Sequence, residues 1–229
     1  MSLKDITCAI TETASNTKRP PVIARTISCL VIIPTAPNDP PKAKDPVSPI
    51  KIFAGGALNH KKPRQDPIIA PQKMDASPSI YDKIKLTTLM PPNKVVAAPA
   101  ETVDLVVTFR NIHNWVNNGI EKAVLTSAYK ALKKNGVLGL VAHRTKDSSV
   151  GLESAQTGYL TEDQVIAIVE EVGFRLEARS EINANPSDSA NHPKGVWTLP
   201  PMLRLGEIDK EKYLAIGESD RMTLKFIKK

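Results

Sequence analysis

The chain has 229 residues, of which 41% are hydrophobic and 4% aromatic, with a net charge of +7 at pH 7. This length accommodates one good-sized domain with its own core. The positive charge is concentrated at the front, because residues 1–79 carry 11 Lys and Arg against 6 Asp and Glu, whereas residues 80–229 carry 20 against 18. The sequence shows no basic stripe with interleaved aromatic residues, which argues against nucleic-acid binding.

The cysteines and the apolar runs restrict the class of protein further. Cys8 and Cys29 lack the spacing of a metal site, so we interpret them as free thiols in a reducing compartment. The apolar run at residues 27–33 is too short to span a membrane, and the stretch before it lacks the layout of a signal peptide. We therefore expect a cytoplasmic protein that binds neither a metal nor a membrane.

Residues 1–79 have an unusual composition, with twelve prolines and only two glycines, Gly55 and Gly56. Each proline removes a backbone donor and pushes the preceding residue out of the helical region, so neither a long helix nor a central strand fits residues 34–49. The composition predicts an extended or disordered proline-rich arm, with short strands at residues 27–33 and 49–54.

From about residue 80 the pattern changes to that of an α/β domain. Residues 81–89 alternate as a strand does, and residues 103–109 form a short β-branched run typical of a strand that is buried on both faces of a parallel sheet. An amphipathic helix follows, which Asn135-Gly136 is predicted to end through a left-handed cap, and residues 137–143 form the next strand. This strand-helix-strand unit predicts a right-handed crossover.

The remaining elements complete a single domain over residues 80–229. Thr161 and Gln164 form a capping-box pattern, and Gly173 ends the helix that this pattern begins. We predict a partly exposed strand at residues 174–182, a long loop at 183–201, a short helix at 208–216 and a closing strand at 221–228. Ligands of such sheets bind at the carboxyl ends of the strands, so residues 108–115 are the expected site.

The amino-acid sequence of several stretches is more specific to one protein family than the order of the secondary-structure elements is. It resembles a family of bacterial predicted methyltransferases of class I, which depend on S-adenosylmethionine, at residues 104–115, 131–137, 158–162 and 195–201. The resemblance covers about residues 80–229. It implies a Rossmann-like sheet with antiparallel C-terminal strands, S-adenosylmethionine as the cofactor and a small molecule as the substrate.

The turn His113-Asn114-Trp115 resembles the His-Asp-Trp turn of small-molecule O-methyltransferases, with Asn114 in place of the acidic residue. The resemblance implies that His113 is the catalytic base, because a neutral imidazole can accept a hydroxyl proton near neutral pH. From their positions at strand ends and in the long loop, we also expect Thr108, Arg110 and Trp115 to face the cofactor, and His143, His192 and Trp197 to face the substrate.

Each of these residues also has an ordinary structural interpretation. His113 is also compatible with a hydrogen bond to a backbone carbonyl, and Trp115 with a core anchor for the following helix. Arg110 has the fork to bind the cofactor carboxylate or a substrate anion, or to pair with a carboxylate at the surface. The remaining three, His143, His192 and Trp197, are also compatible with structural packing.

The first strand-turn-helix unit, through which such enzymes bind their cofactor, has no recognisable counterpart before Asp104. Gly55-Gly56 is the only glycine pair there, and it lacks an acidic partner. The alternatives are therefore an active methyltransferase, or a truncated and non-catalytic remnant whose residues 1–79 are an unrelated arm or a frame error. A third is an interaction module whose proline-rich arm binds an aromatic groove. The oligomeric state stays open.

Overall fold

The computed structural model describes residues 6–11, 28–33, 84–89 and 91–229. Within these ranges seven strands form one sheet, in the spatial order β3-β1-β2-β4-β5-β7-β6. The strands are β1 (Ile6–Thr11), β2 (Ser28–Ile33), β3 (Ile84–Leu89), β4 (Val103–Phe109), β5 (Leu132–His143), β6 (Phe174–Ser180) and β7 (Arg221–Lys228). The α-helices of the same ranges are α1 (Ile112–Asn117), α2 (Glu121–Ala131), α3 (Glu162–Glu171) and α4 (Lys210–Ile216).

The second part of the sheet has the predicted α/β architecture. Strands β4 and β5 are parallel and are joined through α1 and α2, which confirms the strand-helix-strand unit. Strand β7 lies antiparallel between β5 and β6. The Rossmann-like α/β class with antiparallel C-terminal strands is therefore confirmed.

The core lies on one face of this sheet. Alternate residues of the strands point toward α2 and α3, and they include Val106, Leu138, Leu140, Leu224 and Phe226, each at most 2% exposed. Burial of one such side chain stabilises the fold by about 1.5–3 kcal/mol. The period of two along each strand thus selects which residues form the core.

The prediction that β4 is buried on both faces is wrong. Val107 is only half-buried and Phe109 is 48% exposed. Together with Val141 and Lys225 they line an open groove of about 390 Å³ on the face opposite the core. The error arises because an uninterrupted apolar run gives no information about whether a second layer covers the strand.

The predicted end of the second helix is also wrong. Helix α2 ends at Ala131, and the extended Leu132 already pairs with Val103 of β4. Asn135 does adopt a left-handed conformation, with φ of 62°, but it lies inside β5. The fully buried Leu132 pairs with β4, and this pairing ends the helix before the Asn-Gly pair is reached. Asn135 and Gly136 instead lie in an irregular part of β5.

Helix α3 begins as predicted. The Gln164 backbone N–H donates to Thr161 Oγ1 at 3.2 Å, and the Thr161 backbone N–H donates to Gln164 Oε1 at 2.9 Å. This reciprocal pair is a complete capping box. Strand β6 is largely exposed at the sheet edge, as its charge pattern predicts, and β7 has the predicted bounds.

The front strands have an unexpected direction. Strand β2 confirms the predicted short strand near residues 27–33, whereas β1 was not predicted from the sequence. Strand β2 runs antiparallel to both β1 and β4, and β3 runs parallel to β1. The strand predicted at residues 49–54 and the Gly55-Gly56 pair lie outside the described ranges, and the domain boundary near residue 80 stays a prediction.

In the part of the chain that the structure describes, every helix falls short of the length and apolar character needed to cross a bilayer. The same part contains no group of three or more His, Cys, Asp or Glu residues arranged to hold a metal ion.

Candidate functional site

The site begins where β4 ends, at a turn that has a constrained backbone. Arg110 adopts φ of 58°, and its backbone N–H donates to the Val141 carbonyl of β5 at 2.7 Å. A left-handed conformation is uncommon for residues other than glycine, and it often occurs at functional sites. Helix α1 starts two residues later, so that this turn places His113 at the carboxyl edge of β4 and β5.

His113 is a buried and neutral histidine. Its residue is 4% exposed, and its Nδ1 atom has no hydrogen-bond partner among the described residues. Burial, followed by the positive charge of Arg110, lowers the pKa of His113 to about 4. An imidazole with this pKa is uncharged at neutral pH, so that it can act as a proton acceptor, although it is a weaker base than an exposed histidine.

His143, the last residue of β5, lies beside His113 with the ring centroids 5.5 Å apart. Its Nδ1 atom is 2.6 Å from the Ser219 hydroxyl oxygen. Burial is the main cause that lowers the pKa of His143 well below its ordinary value, and nearby positive charges add to the effect. Two neutral imidazoles therefore face each other at this edge of the sheet.

Trp197 brings the long loop to the same place. Its ring centroid lies 6.0 Å from that of His113, and the Arg204 guanidinium covers the indole at 4.6 Å. The loop fits closely here, because a Cβ atom on Gly195 would collide with the Thr157 carbonyl. Gly195 also has φ of 56°, which favours glycine. The structure thus brings together His113, His143 and Trp197, three of the residues predicted from the sequence.

His192 lies in a neighbouring cluster. Its Nε2 atom is 2.7 Å from Asp188 Oδ1, and the other carboxylate oxygen of Asp188 accepts from the Tyr159 hydroxyl at 2.9 Å. Tyr159 in turn packs against His143, with ring centroids 6.2 Å apart. His192 is therefore connected to the histidine pair through Asp188 and Tyr159, and no ring contact joins it to His113 among the described residues.

Thr108 and Trp115 lie deep in the same region. Trp115 is fully buried within the core, as the core-anchor interpretation predicts, and Thr108 is 1% exposed. Both Thr108 Oγ1 and Trp115 Nε1 lack a partner in the described structure. Since buried polar atoms are normally paired, these two atoms mark where a polar ligand or water would gain hydrogen bonds.

Sequence reasoning missed the residues that support the histidines. Ser219 contacts His143, and Asp188 joins His192 to Tyr159. Arg144, next to His143, makes hydrogen bonds to both Asp220 and Glu181. Arg144 follows a strand at its carboxyl end, so the position rule alone would have indicated it. Nothing local distinguishes Ser219 or Asp188.

The described residues fit S-adenosylmethionine only on one side. Thr108 Oγ1 and Trp115 Nε1 offer unsatisfied hydrogen-bonding atoms at the carboxyl end of β4. However, β1 and β2 contain neither a glycine nor an acidic residue. Ile33, at the carboxyl end of β2, pairs with Leu105 near the start of β4. It therefore lies at the opposite end of β4 from His113. The glycine turn and the ribose-binding carboxylate are thus not among the residues that the structure describes.

No protein-family model matches the chain, and no curated protein matches it. Solved structures with a similar arrangement include the [4+2]-cyclase SpnF, at 11% identity and a TM-score of 0.47 over 70% of this chain. A methyltransferase dependent on S-adenosylmethionine from Methanosarcina mazei has 10% identity and a TM-score of 0.44 over 72% of this chain and 78% of its own. A TehB-like one from Corynebacterium glutamicum has 12% identity and a TM-score of 0.39 over 69% of this chain.

The chain spans 61% of SpnF and 64% of the TehB-like protein. At these identities and TM-scores, the similarities assign neither a family nor an activity to the chain.

Proposed function

We propose that the protein is an S-adenosylmethionine-dependent methyltransferase that acts on a hydroxyl group of a small molecule, with His113 as the general base. The observation that carries the proposal is the His113 ring itself. It is buried and neutral, its Nδ1 atom has no partner among the described residues, and it lies beside His143 and Trp197 at the carboxyl edge of β4 and β5.

The chain's own residues supply the acid-base side of this reaction. The cofactor, when bound, supplies an electrophilic methyl group. The His113 imidazole would accept the proton of the substrate hydroxyl while that oxygen takes the methyl group, which the cofactor would give up from its sulfur with release of S-adenosylhomocysteine, so that no free alkoxide is required. His143 and the Trp197 indole pack beside His113, with ring centroids 5.5 and 6.0 Å away, and are the side chains nearest to the base in this proposal.

The remaining assignments belong to the same proposal. Thr108, Arg110 and Trp115 are expected to face the cofactor, and the two unpartnered polar atoms support this for Thr108 and Trp115. His143 and Trp197 are expected to contact the substrate. His192 is expected to act from one step further away, because Asp188 and Tyr159 lie between it and His143.

Isothermal titration with S-adenosylmethionine tests the proposal. Binding in the micromolar range, followed by methyl transfer that releases S-adenosylhomocysteine, is the expected result. The matched control is S-adenosylhomocysteine, which has the same adenosine and amino-acid groups but no methyl group to transfer. Absence of both heat and a thermal shift would contradict the proposal.

One observation favours a second function, that of a non-catalytic remnant or interaction protein. Strand β2 occupies the position beside β4 in the reverse direction, and its carboxyl end therefore lies away from His113. In this alternative the histidine pair persists without a cofactor. Failure to bind S-adenosylmethionine by a protein with a cooperative unfolding transition would support it.

A further inference from the structure

One carboxylate, that of Asp188, connects the long loop to two other parts of the chain. Its side chain is completely buried, and it accepts four hydrogen bonds of 2.7–2.9 Å. Within the loop the donors are His192 Nε2 and the backbone N–H of Ala190. The other donors are the Tyr159 hydroxyl, before α3, and the backbone N–H of Asp220, before β7. Because a buried carboxylate is costly unless it is paired, these four donors fix the position of Asp188.

Tyr159 connects this carboxylate to the histidine pair. The residue is 1% exposed, and its ring packs edge-on against that of His143, with the centroids 6.2 Å apart. Burial, followed by the charge of Asp188, raises the pKa of Tyr159, so the hydroxyl stays protonated and donates to the carboxylate. The hydrogen bond at the end of the Tyr159 side chain therefore fixes the ring that packs against His143.

The same carboxylate is connected to the loop segment that contains Trp197. His192, whose side chain contacts Asp188, accepts a hydrogen bond at its carbonyl from the backbone N–H of Gly195 at 2.9 Å. Gly195 precedes Trp197 by two residues, and the Trp197 ring centroid lies 6.0 Å from that of His113. The contact between Asp188 and His192 therefore leads to the second ring that packs beside His113.

We propose that Asp188 is a positioning residue that keeps in place the two rings that pack beside His113. It acts on His143 through the Tyr159 ring, and on Trp197 through the middle of the long loop. This inference rests on the proposed function, because it names what orders the side chains nearest to the proposed base. Side chains that meet a substrate need such support, since small displacements at a site reduce catalysis.

Two conservative substitutions remove the contacts without removing a ring. Asp188→Asn keeps the shape of the side chain, but two of the four donors then meet an amide N–H that cannot accept from them. Tyr159→Phe deletes only the hydroxyl that donates to Asp188. The matched control is Tyr129→Phe, which deletes a tyrosine hydroxyl that donates to the Lys229 carbonyl at the C-terminus of the chain.

The NMR signals of the histidine rings test the positioning without any ligand. The chain has four histidines, so the carbon–hydrogen signals of His113 and His143 can be assigned by single substitutions. Asp188→Asn is expected to shift both signals, because the rings packed against these histidines move, whereas Tyr129→Phe should leave both in place. A folded Asp188→Asn protein with unchanged His113 and His143 signals overturns the inference. Should Asp188→Asn fail to fold, the same comparison is made with Tyr159→Phe.

Cleavage by trypsin tests the connection to the loop. Lys194 is exposed in the loop segment before Trp197, whereas Lys225 lies within β7. In Tyr159→Phe, loss of a hydrogen bond to a charged group should raise cleavage after Lys194 by about tenfold or more relative to cleavage after Lys225, because cleavage follows the population of the open segment. An equal rise at both sites overturns the inference, since it would show that the contact supports the whole fold and not the loop.

Neither measurement needs a cofactor, so this inference and the methyltransferase proposal can fail separately. If the ring signals and the cleavage change as expected but S-adenosylmethionine does not bind, the positioning role of Asp188 stands and the methyltransferase proposal fails. If S-adenosylmethionine binds but the His113 and His143 signals stay unchanged in Asp188→Asn, the methyltransferase proposal stands and this inference is overturned.

Discussion

His143 and Arg144 are adjacent and buried, and they belong to two polar clusters of opposite character. The histidine cluster consists of His113, His143 and Trp197, and within the described part of the chain no group pairs with His113 Nδ1. The carboxylate cluster consists of Arg144, Asp220 and Glu181, in which the guanidinium makes four hydrogen bonds of 2.7–3.0 Å. The histidine cluster can still accept or donate a hydrogen bond, whereas the carboxylate cluster already forms its hydrogen bonds internally.

This difference suggests a structural role for the carboxylate cluster and a ligand-binding role for the histidine cluster. The side-chain hydrogen bonds of Glu181 and Asp220 raise the pKa of Arg144, and Arg144 in turn lowers the pKa of Glu181. These bonds connect the end of β5 to the segments that precede and follow the long loop. The carboxylate cluster therefore fixes the loop that carries Trp197, and the histidine cluster is left free to meet a ligand.

The largest expected effect comes from breaking the carboxylate cluster. Arg144→Met leaves the Asp220 carboxylate, 2% exposed, without its guanidinium, and the free energy of unfolding should fall by about 3–5 kcal/mol. Urea denaturation followed by circular dichroism measures the change. Arg175→Met, at an exposed ion pair, is the control, and it should cost about 1 kcal/mol or less. A similar small loss for Arg144→Met would show that the cluster is not structural.

The histidine cluster should respond to pH. The pKa of His113 is about 4 in the folded protein and 6.5 in a model peptide, so the unfolded chain binds the proton more readily. The associated stability is present above pH 6.5 and is lost as the pH falls through 4, by about 3 kcal/mol. Comparison of urea unfolding at pH 7 and pH 4 measures it. His113→Gln should reduce this loss, and an unchanged loss would show that His113 titrates normally.

Removing the base tests the chemical role of the histidine cluster. If the protein transfers methyl groups, His113→Ala should lower turnover by about 10²-fold or more and leave the affinity for S-adenosylmethionine nearly intact. Turnover is followed by the release of S-adenosylhomocysteine. His192→Ala is a comparison from the neighbouring cluster, for which we expect a smaller loss because two residues lie between His192 and His143. Unchanged turnover in His113→Ala would remove His113 from the mechanism.

The smallest effect concerns the support of the carboxylate cluster by α3. Glu162, the first residue of that helix, lies 3.5 Å from Arg144. Thr161→Ala removes the capping side chain and should destabilise the protein by about 1 kcal/mol. Thr161→Ser is the matched control, since it keeps the hydroxyl. Equal stability of the two variants would indicate that the capping box contributes little here.

Local signals were sufficient for much of the second part of the fold. The capping box at Thr161, the strand-helix-strand unit and the bounds of β7 follow from patterns that lie within a few residues of each other. The end of α2 was mispredicted because Leu132 pairs with Val103 of β4, which lies 29 residues away along the chain. Strand β1 was missed because its pairing partners lie in β2 and β3.

The candidate site shows the same division. Position at the carboxyl end of a strand was enough to select Arg110, His113 and His143 as candidates. The contact of His143 with Ser219 spans 76 positions, and no pattern in the sequence indicates it. Whether Trp115 would lie in the core or face a ligand was likewise undecided until its burial was known.

The sequence by itself therefore determined that residues 103–143 form strand, helix and strand, and that polar and aromatic residues follow β4. These features depend on periodicity and on short-range hydrogen bonds, both of which are determined by residues close to each other in the sequence. Only the tertiary structure decided that His113 is buried and neutral beside His143 and that Arg144 binds the carboxylates of Asp220 and Glu181. Burial and charge pairing depend on segments that meet in space, so no local pattern specifies them.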